Sequence, residues 1–339
     1  MRFQFYTDEL ETTPKLSVDG TVGHSIHFSH WEGNETPTEV KADTSTEIAL
    51  NLVTSPNRVA LTNGIELVTN NHFDTDGVLS VWTVLTGERA AEYRDFLIAA
   101  AEAGDFSEYS SQTGIRISLA IQGSDQASAN DDTGSPLAHF LAGHEVDDDA
   151  RAYELVLPEV EKVLSDVNKY EPLWRDGWDR IEAACLSFET GRSQVTEFPD
   201  ARISLIDLAP DIFNGGTFNP TRHAAPYTAI SRFARGHLYL IAIPTAGGWF
   251  YRIDYPYYAW AETVVRPQIQ RHDFTNALRQ LNERESNSEG QWRVDNREMT
   301  SAVKFLNSGK ALAPSALPPD DVVRIVQTEI ARPVGVGAR

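Results

Sequence analysis

The 339-residue sequence predicts an α/β protein. A mostly parallel sheet with flanking helices is expected over residues 1–195, and a smaller C-terminal α+β domain over residues 196–339. Three observations lead there. Short apolar runs in the first half stop abruptly at polar groups, Lys15–Val18 at Asp19-Gly20 and Ser25–Phe28 at Ser29-His30-Trp31. Open α/β sheets place their functional groups at such strand ends. The text then changes character near residues 190–200, and the 41% hydrophobic composition of so long a chain favours two domains over one.

The elements follow in order. Asp43-Thr44-Ser45-Thr46-Glu47 opens an apolar run of Ile48, Leu50, Leu52 and Val53, a helix start with an Asp, Thr or Ser cap and an early acid. Ile65–Thr69 reads as a strand, and Gly77 allows a tight turn into a helix carrying Val78, Val81, Trp82 and Leu85. Ala90–Ala103 reads as a helix stopped at Gly104. Residues 122–135 form a polar loop, and helical text resumes at Val146–Ser165 and Glu171–Phe188. Beyond the change of character, Ile203–Ile206 is a strand, and Tyr239–Ile243 and Trp249–Ile253 flank the hairpin signal Pro244-Thr245-Ala246-Gly247-Gly248. His272–Arg284 and Asp321–Ala331 read as helices, with a Pro/Ala/Ser-rich loop at 308–319.

Charge narrows the partners. The formal net charge is −20, so the surface as a whole repels a polyanion, and long nucleic acid is not an expected partner. The single cysteine, Cys185, can form neither an internal disulfide nor a Cys-based zinc site. The N-terminal MRFQFYTDELETT is too polar for a signal peptide, and no apolar run approaches a membrane span. A cytoplasmic protein without a membrane partner is expected; the sequence sets no oligomeric state.

The densest chemistry lies in Asn70-Asn71-His72-Phe73-Asp74-Thr75-Asp76-Gly77-Val78-Leu79-Ser80. One imidazole and two carboxylates stand at i, i+2 and i+4, so an extended segment turns all three to one face. Such a cluster is costly without a positive charge in it, and a divalent metal is the usual occupant. An Asp-x-Asp-Gly after a strand is also a common solvated turn.

His72, Asp74, Asp76, Gly77 and Ser80 resemble, position by position, the first motif of the DHH phosphoesterase superfamily, which includes RecJ-type exonucleases, nanoRNases, exopolyphosphatases and manganese pyrophosphatases. Upstream, Ser29-His30-Trp31 closes a strand and is similar to the Asp-His-His motif, with His30 at the central, metal-binding His. Asp43–Glu47 resembles the helix start that follows it, and Val18-Asp19-Gly20 resembles the second motif, whose Asp bridges two metals. The order here is second, third, first, which a circular permutation would produce. The chain is also similar to an uncharacterised bacterial family with an early S-H-W-x-G-N-x-T-P and a late W-A-E-T segment.

The superfamily resemblance implies a DHH-like sheet and two Mn²⁺ or Mg²⁺ ions bridged by Asp19. His72 and Asp74 would complete one ion's ligands and His30 and Asp76 the other's. Asp105 is the choice for a fourth-motif ligand, with Asp125 and Asp147 as rivals. Two such ions, roughly 4 Å apart, hold a phosphoryl group and activate a water. Asp74, Asp76 and His30 would then be the catalytic set, and a small phosphorylated substrate the partner: a short oligonucleotide, a cyclic dinucleotide or a polyphosphate. Arg222 and His223 would bind its phosphate. Ser29 and Trp31 depart from the signature and open a second expectation, a non-catalytic ligand-binding protein. F-D-T-D-G-V-L is similar also to the haloacid-dehalogenase motif, with Asp74 as nucleophile, Asp76 as acid/base and one magnesium. Of the remaining candidates, His139 and His144 miss zincin spacing. The run Tyr255–Trp260 suits core packing or an inter-domain contact, and Arg266 and Arg271 after it could face a nucleotide.

Overall fold

A computed structural model describes residues 1–123, 137, 148–209, 225–294 and 301–330. The described residues form an α/β protein with two sheets, one parallel with four strands and one mixed with six. By compactness the chain divides into two units. The first is Met1–Asp179 together with Trp260–Gln268, and the second is Arg180–Ala259 together with Ile269–Arg339. The division falls inside the helix Glu171–Glu189, upstream of the expected change at 195, and the first unit takes in a short segment from far downstream.

In the first unit the strands β1 (Arg2–Phe3), β2 (Lys15–Val18), β3 (Ser25–Phe28) and β4 (Leu67–Thr69) form the sheet β1-β4-β2-β3, with every pairing parallel. β2 and β4 are buried along their whole length, as expected of a parallel sheet covered on both faces. Leu16, Val18, Phe28 and Val68 have no exposed surface, each side chain contributing about 1.5–3 kcal/mol by burial. Register does the positioning: Val18 lies opposite Phe28, and Ser17 opposite Thr69. The carboxyl ends of β2, β3 and β4 therefore come out side by side, and the residues just past them share one edge of the sheet.

Helices α1 (Ser45–Thr54), α2 (Arg58–Leu61), α3 (Thr75–Thr86), α4 (Arg94–Phe106) and α5 (Gln112–Gln122) follow. Thr44 is the cap of α1, accepting from the Glu47 N–H, and Asp74 is the cap of α3, accepting from the Gly77 N–H. The expected helix stop at Gly104 is corrected: α4 begins only at Arg94, runs through Gly104-Asp105-Phe106 and ends at Ser107, itself left-handed at φ +46°. Gly104 is there for packing. A Cβ on it would lie 2.5 Å from Thr75 Cβ and 2.9 Å from Ser118 Oγ. Gly104→Ala should therefore cost about 1–3 kcal/mol by overpacking, and it presses on the first turn of α3, which carries Asp76. Urea unfolding checks this; a variant as stable as the native chain would mean that the α3–α4 contact is loose. The first unit continues with α6 (Asp149–Val156), α7 (Val160–Ser165) and α8 (Glu171–Glu189), the last running on into the second unit.

The second unit is built on β5 (Gln194–Phe198), β6 (Ile203–Asp207), β7 (Leu238–Thr245), β8 (Gly248–Asp254), β9 (Gly290–Val294) and β10 (Ser301–Asn307), in the order β5-β6-β7-β8-β10-β9. β6 and β7 run parallel and the other neighbours antiparallel. The β7–β8 hairpin turns at Ala246-Gly247, tighter than the expected five-residue loop, because Thr245 and Gly248 still pair. Tyr251, Ile253, Trp292, Phe305 and Val326 form part of its core. Among the described residues no helix is long and apolar enough to cross a membrane.

Candidate metal centre

Sheet register brings the sequence candidates together. Asp19, one residue past β2, is fully buried and held at φ +50°, a left-handed conformation that Asp and Asn tolerate better than most residues. His30, two residues past β3, is 1% exposed, and Asp74 and Asp76 flank the start of α3. His72 sits in the link between β4 and α3, its side chain 25% exposed.

Two groups of potential ligands share one carboxylate. Asp19, His72 and Asp74 offer atoms that lie within 4.8 Å of one another, and so do Asp19, His30 and Asp76. In the first group His72 Nε2 is 3.2 Å from Asp19 Oδ2 and 3.3 Å from Asp74 Oδ2. The other ring nitrogen, Nδ1, lies 3.1 Å from Asn71 Oδ1, which leaves Nε2 turned to the carboxylates. In the second group His30 Nδ1 is 3.5 Å from Asp76 Oδ2.

The start of α1 braces these groups. The N–H groups of Ser45 and Thr46 donate to Asp76 Oδ2 and Oδ1, each at 2.7 Å, and Ser45 Oγ donates to Asp19 Oδ1 at 2.9 Å. Asp76 thus meets the positive end of a helix, which favours its charge. Asp105, expected among the ligands, lies outside both groups. Its Oδ2 is 3.0 Å from His30 Nε2, on the opposite side of the ring from the nitrogen that faces Asp76. There it orients the imidazole, as carboxylates behind ligating histidines do. Arg222, His223, His139, His144, Asp125 and Asp147 lie outside the described residues.

Electrostatics shows what the cluster lacks. Among the described residues, the only ion-pair partners of Asp19, Asp74, Asp76 and Asp105 are His30 and His72. Burial, with Asp74 and Asp76 nearby, holds the Asp19 carboxyl well above its usual range. Burial also raises Asp76, and raises Asp105 to about 6 against the opposing pull of His30. Burial likewise acts against Asp74, but His72 and the Gly77 N–H overcome it and hold that carboxyl below its usual value. Desolvation works against both imidazolium ions. The carboxylates override it, lifting His30 to about 9 and His72 well above 6.5. The buried atoms Asp19 Oδ2, His30 Nε2, His72 Nε2 and Asp105 Oδ2 face one another, as imidazole–carboxylate pairs at 3.0 and 3.2 Å. Carboxylates and imidazoles grouped with Asp19 shared between two sets, and no Lys or Arg ion-paired to them among the described residues, fit a divalent cation.

A pH prediction follows. With raised pKa values both imidazoles carry a proton at neutral pH in the metal-free protein, whereas a metal ligand must be deprotonated. Loading Mn²⁺ at pH 7 should release up to about two protons per chain, and affinity should climb as pH rises toward about 9. Calorimetry in two buffers of different ionisation heat counts those protons; a count near zero contradicts the assignment of His30 and His72.

One part of the site left no mark in the nearby sequence. The segment Trp260–Gln268 groups with the first unit and packs as a strap against the residues that follow β3. The Trp260 ring centroid is 5.0 Å from that of His30 and 5.5 Å from that of Trp31. The Glu262 N–H donates to His30 O at 2.8 Å, and its carboxylate accepts from the Gly33 N–H, Asn34 Nδ2 and Lys41 Nζ. Asp43 accepts from the N–H groups of Val264, Val265 and Arg266 and from the Arg266 guanidinium. Arg266 also pairs with Glu102 and Glu108, so its expected nucleotide-facing role is corrected: three carboxylates hold it.

No curated protein and no solved structure matches the chain. A family described only as being of unknown function matches residues 1–332, nearly the whole sequence. The protein with this shared-carboxylate cluster at the ends of a parallel sheet therefore belongs to the family of unknown function DUF6687.

Proposed function

We propose that this protein is a DHH-like, metal-dependent phosphoesterase hydrolysing a small phosphorylated substrate. The observation that carries the reading is the pair of ligand groups sharing Asp19, with one His and one further Asp on each side. Their assembly from the ends of adjacent parallel strands supports a permuted arrangement of the superfamily's motifs. Two Mn²⁺ or Mg²⁺ ions, when bound, would polarise the phosphoryl oxygens and lower the pKa of a water at neutral pH.

The chain's own residues set the rest. Asp19 is held by Ser45 Oγ, Asp76 by the first turn of α1 and His30 by Asp105, so the donor set is fixed before anything binds. In the hydrolysis, a water oxygen forms a bond to phosphorus as the ester P–O bond breaks, and a proton goes to the leaving oxygen. Asp74 is poorly set up as a haloacid-dehalogenase nucleophile. Its Oδ1 accepts the Gly77 N–H at 2.7 Å and its Oδ2 faces His72. The non-catalytic reading keeps one specific support: Ser29 serves the local fold, its hydroxyl accepting the Trp31 N–H.

Metal analysis and a hydrolysis panel separate these readings. The expected result is two bound Mn²⁺ per chain and manganese-dependent hydrolysis of bis(4-nitrophenyl) phosphate far above an Asp74→Ala control. Two ions without turnover would favour a binding protein; neither ions nor turnover would end the proposal.

A further inference from the structure

We infer that the two ligand groups hold their ions differently. The Asp19–His30–Asp76 group keeps a divalent cation behind the Trp260–Gln268 strap, and the Asp19–His72–Asp74 group exchanges its cation with the medium, so that the free concentration of that cation regulates turnover. This rests on the metal-dependent phosphoesterase reading and adds a regulation to it.

Access separates the two groups. The side chains of His30 and Asp76 have no exposed surface, whereas those of His72 and Asp74 are 25% and 12% exposed. The shared Asp19 is buried. An ion held between Asp19, His72 and Asp74 therefore has solvent beside it, and one held between Asp19, His30 and Asp76 does not.

Three side chains pack around the His30 imidazole. Asp105 Oδ2 stands 3.0 Å from its Nε2, and the ring centroids of Phe106 and Trp260 lie 5.6 Å and 5.0 Å from its own. The strap is fastened to the residue that its tryptophan covers, because the Glu262 N–H donates to His30 O at 2.8 Å. Farther along, the buried Asp43 accepts from the N–H groups of Val264, Val265 and Arg266. A segment held by several hydrogen bonds to buried groups opens rarely, and an ion enclosed beneath it leaves at the rate of that opening.

Bracing points the same way. Both oxygens of Asp76 are held at 2.7 Å by the N–H groups of Ser45 and Thr46. His72 instead leans on Asn71, an exposed neighbour, at 3.1 Å. Ligands fixed beforehand lose less freedom on binding and hold an ion more tightly than ligands that must still be ordered.

The test follows Mn²⁺ release from the loaded full chain into an excess of a chromogenic chelator by stopped flow. Native protein should release one ion per chain quickly and a second at least about 100-fold more slowly. Trp260→Ala removes the cover, and Glu262→Ala removes a carboxylate 38% exposed that holds Gly33, Asn34 and Lys41. Each should speed the slow phase about tenfold and leave the fast phase unchanged. Asp74→Asn should lack the fast phase and keep the slow one. Hydrolysis of bis(4-nitrophenyl) phosphate should stop when the fast ion is gone and return on adding free Mn²⁺. Release of both ions in one phase, a slow phase that neither strap variant changes, or loss of the slow phase in Asp74→Asn overturns this inference. Turnover that survives removal of the fast ion overturns it too, and in all these cases the phosphoesterase reading stands if the fully loaded chain hydrolyses the ester. Two phases that respond to the strap variants, with no hydrolysis at full loading, overturn the phosphoesterase reading and uphold the difference between the ions. A chain that binds no Mn²⁺ overturns both.

Discussion

Asp19→Asn should leave a folded protein that retains fewer than one Mn²⁺ per chain and hydrolyses phosphodiesters on the order of 10³-fold more slowly. Asp19 is the one carboxylate common to both ligand groups, so its loss strips both together. Asp74→Asn touches one group alone and should leave about one ion bound. The backbone is safe in the Asp19 variant, because Asn also tolerates the left-handed conformation found there at φ +50°. Stability supplies an independent readout. Burial and two neighbouring carboxylates push the Asp19 carboxyl well above its usual range, which means that its charge is unwelcome without metal. Metal-free Asp19→Asn should therefore melt at or above the native temperature, yet lose the native protein's gain on adding Mn²⁺. A variant that still gains several degrees from Mn²⁺ would show that Asp19 does not join the two groups.

Asp43→Ala should destabilise the first unit by about 3–5 kcal/mol, the largest stability effect expected from a single residue away from the cluster. Asp43 is 3% exposed and holds the strap by three backbone N–H groups and the Arg266 guanidinium. Its removal orphans those donors. Burial would raise the Asp43 carboxyl, but the N–H groups of Val265, Val264 and Arg266 hold it below its usual value of 3.8. A lowered folded pKa stabilises above the unfolded pKa, and that stability is lost as pH falls through the folded value. The gap between native protein and Asp43→Ala should thus be full at pH 7 and narrow progressively below about pH 4. Urea unfolding at pH 7 and pH 3 measures it; a gap under about 1 kcal/mol at pH 7 would reduce the strap to a loose surface contact.

Much of the cluster was legible because its signals are local. A strand ending in Asp19-Gly20, another in Ser29-His30, and an Asp-x-Asp-Gly at a helix start can each be read within a few residues. Parallel pairing then does the remaining work, since it sets strand ends side by side whatever their order in the chain. The strap was not legible. It is fastened largely through the backbone N–H groups of Val264, Val265 and Arg266, which no side-chain pattern announces, and its partner Asp43 passed for a helix cap. Gly104 misled for a related reason. A glycine after an alanine-rich helix signals a stop, yet here it marks the close approach of Thr75, a contact made only in three dimensions. The division of the chain inside Glu171–Glu189 escaped for want of any break in helical text.

The return of the chain at Trp260 also fixes an order of events during synthesis. Chains emerge from the ribosome N-terminus first, and domains ordinarily fold as they emerge. Here the strands that carry Asp19, His30 and His72 are made early, while Trp260 and the Asp43-binding segment follow only after the whole Arg180–Ala259 stretch. A nascent chain short of residue 260 has the ligands without the ring that covers His30. On the proposed metal-dependent reading, an ion bound at that stage would lack the cover that Trp260 gives His30. On the same reading, the identity of the ion would be decided late, after the Arg180–Ala259 stretch has been synthesised.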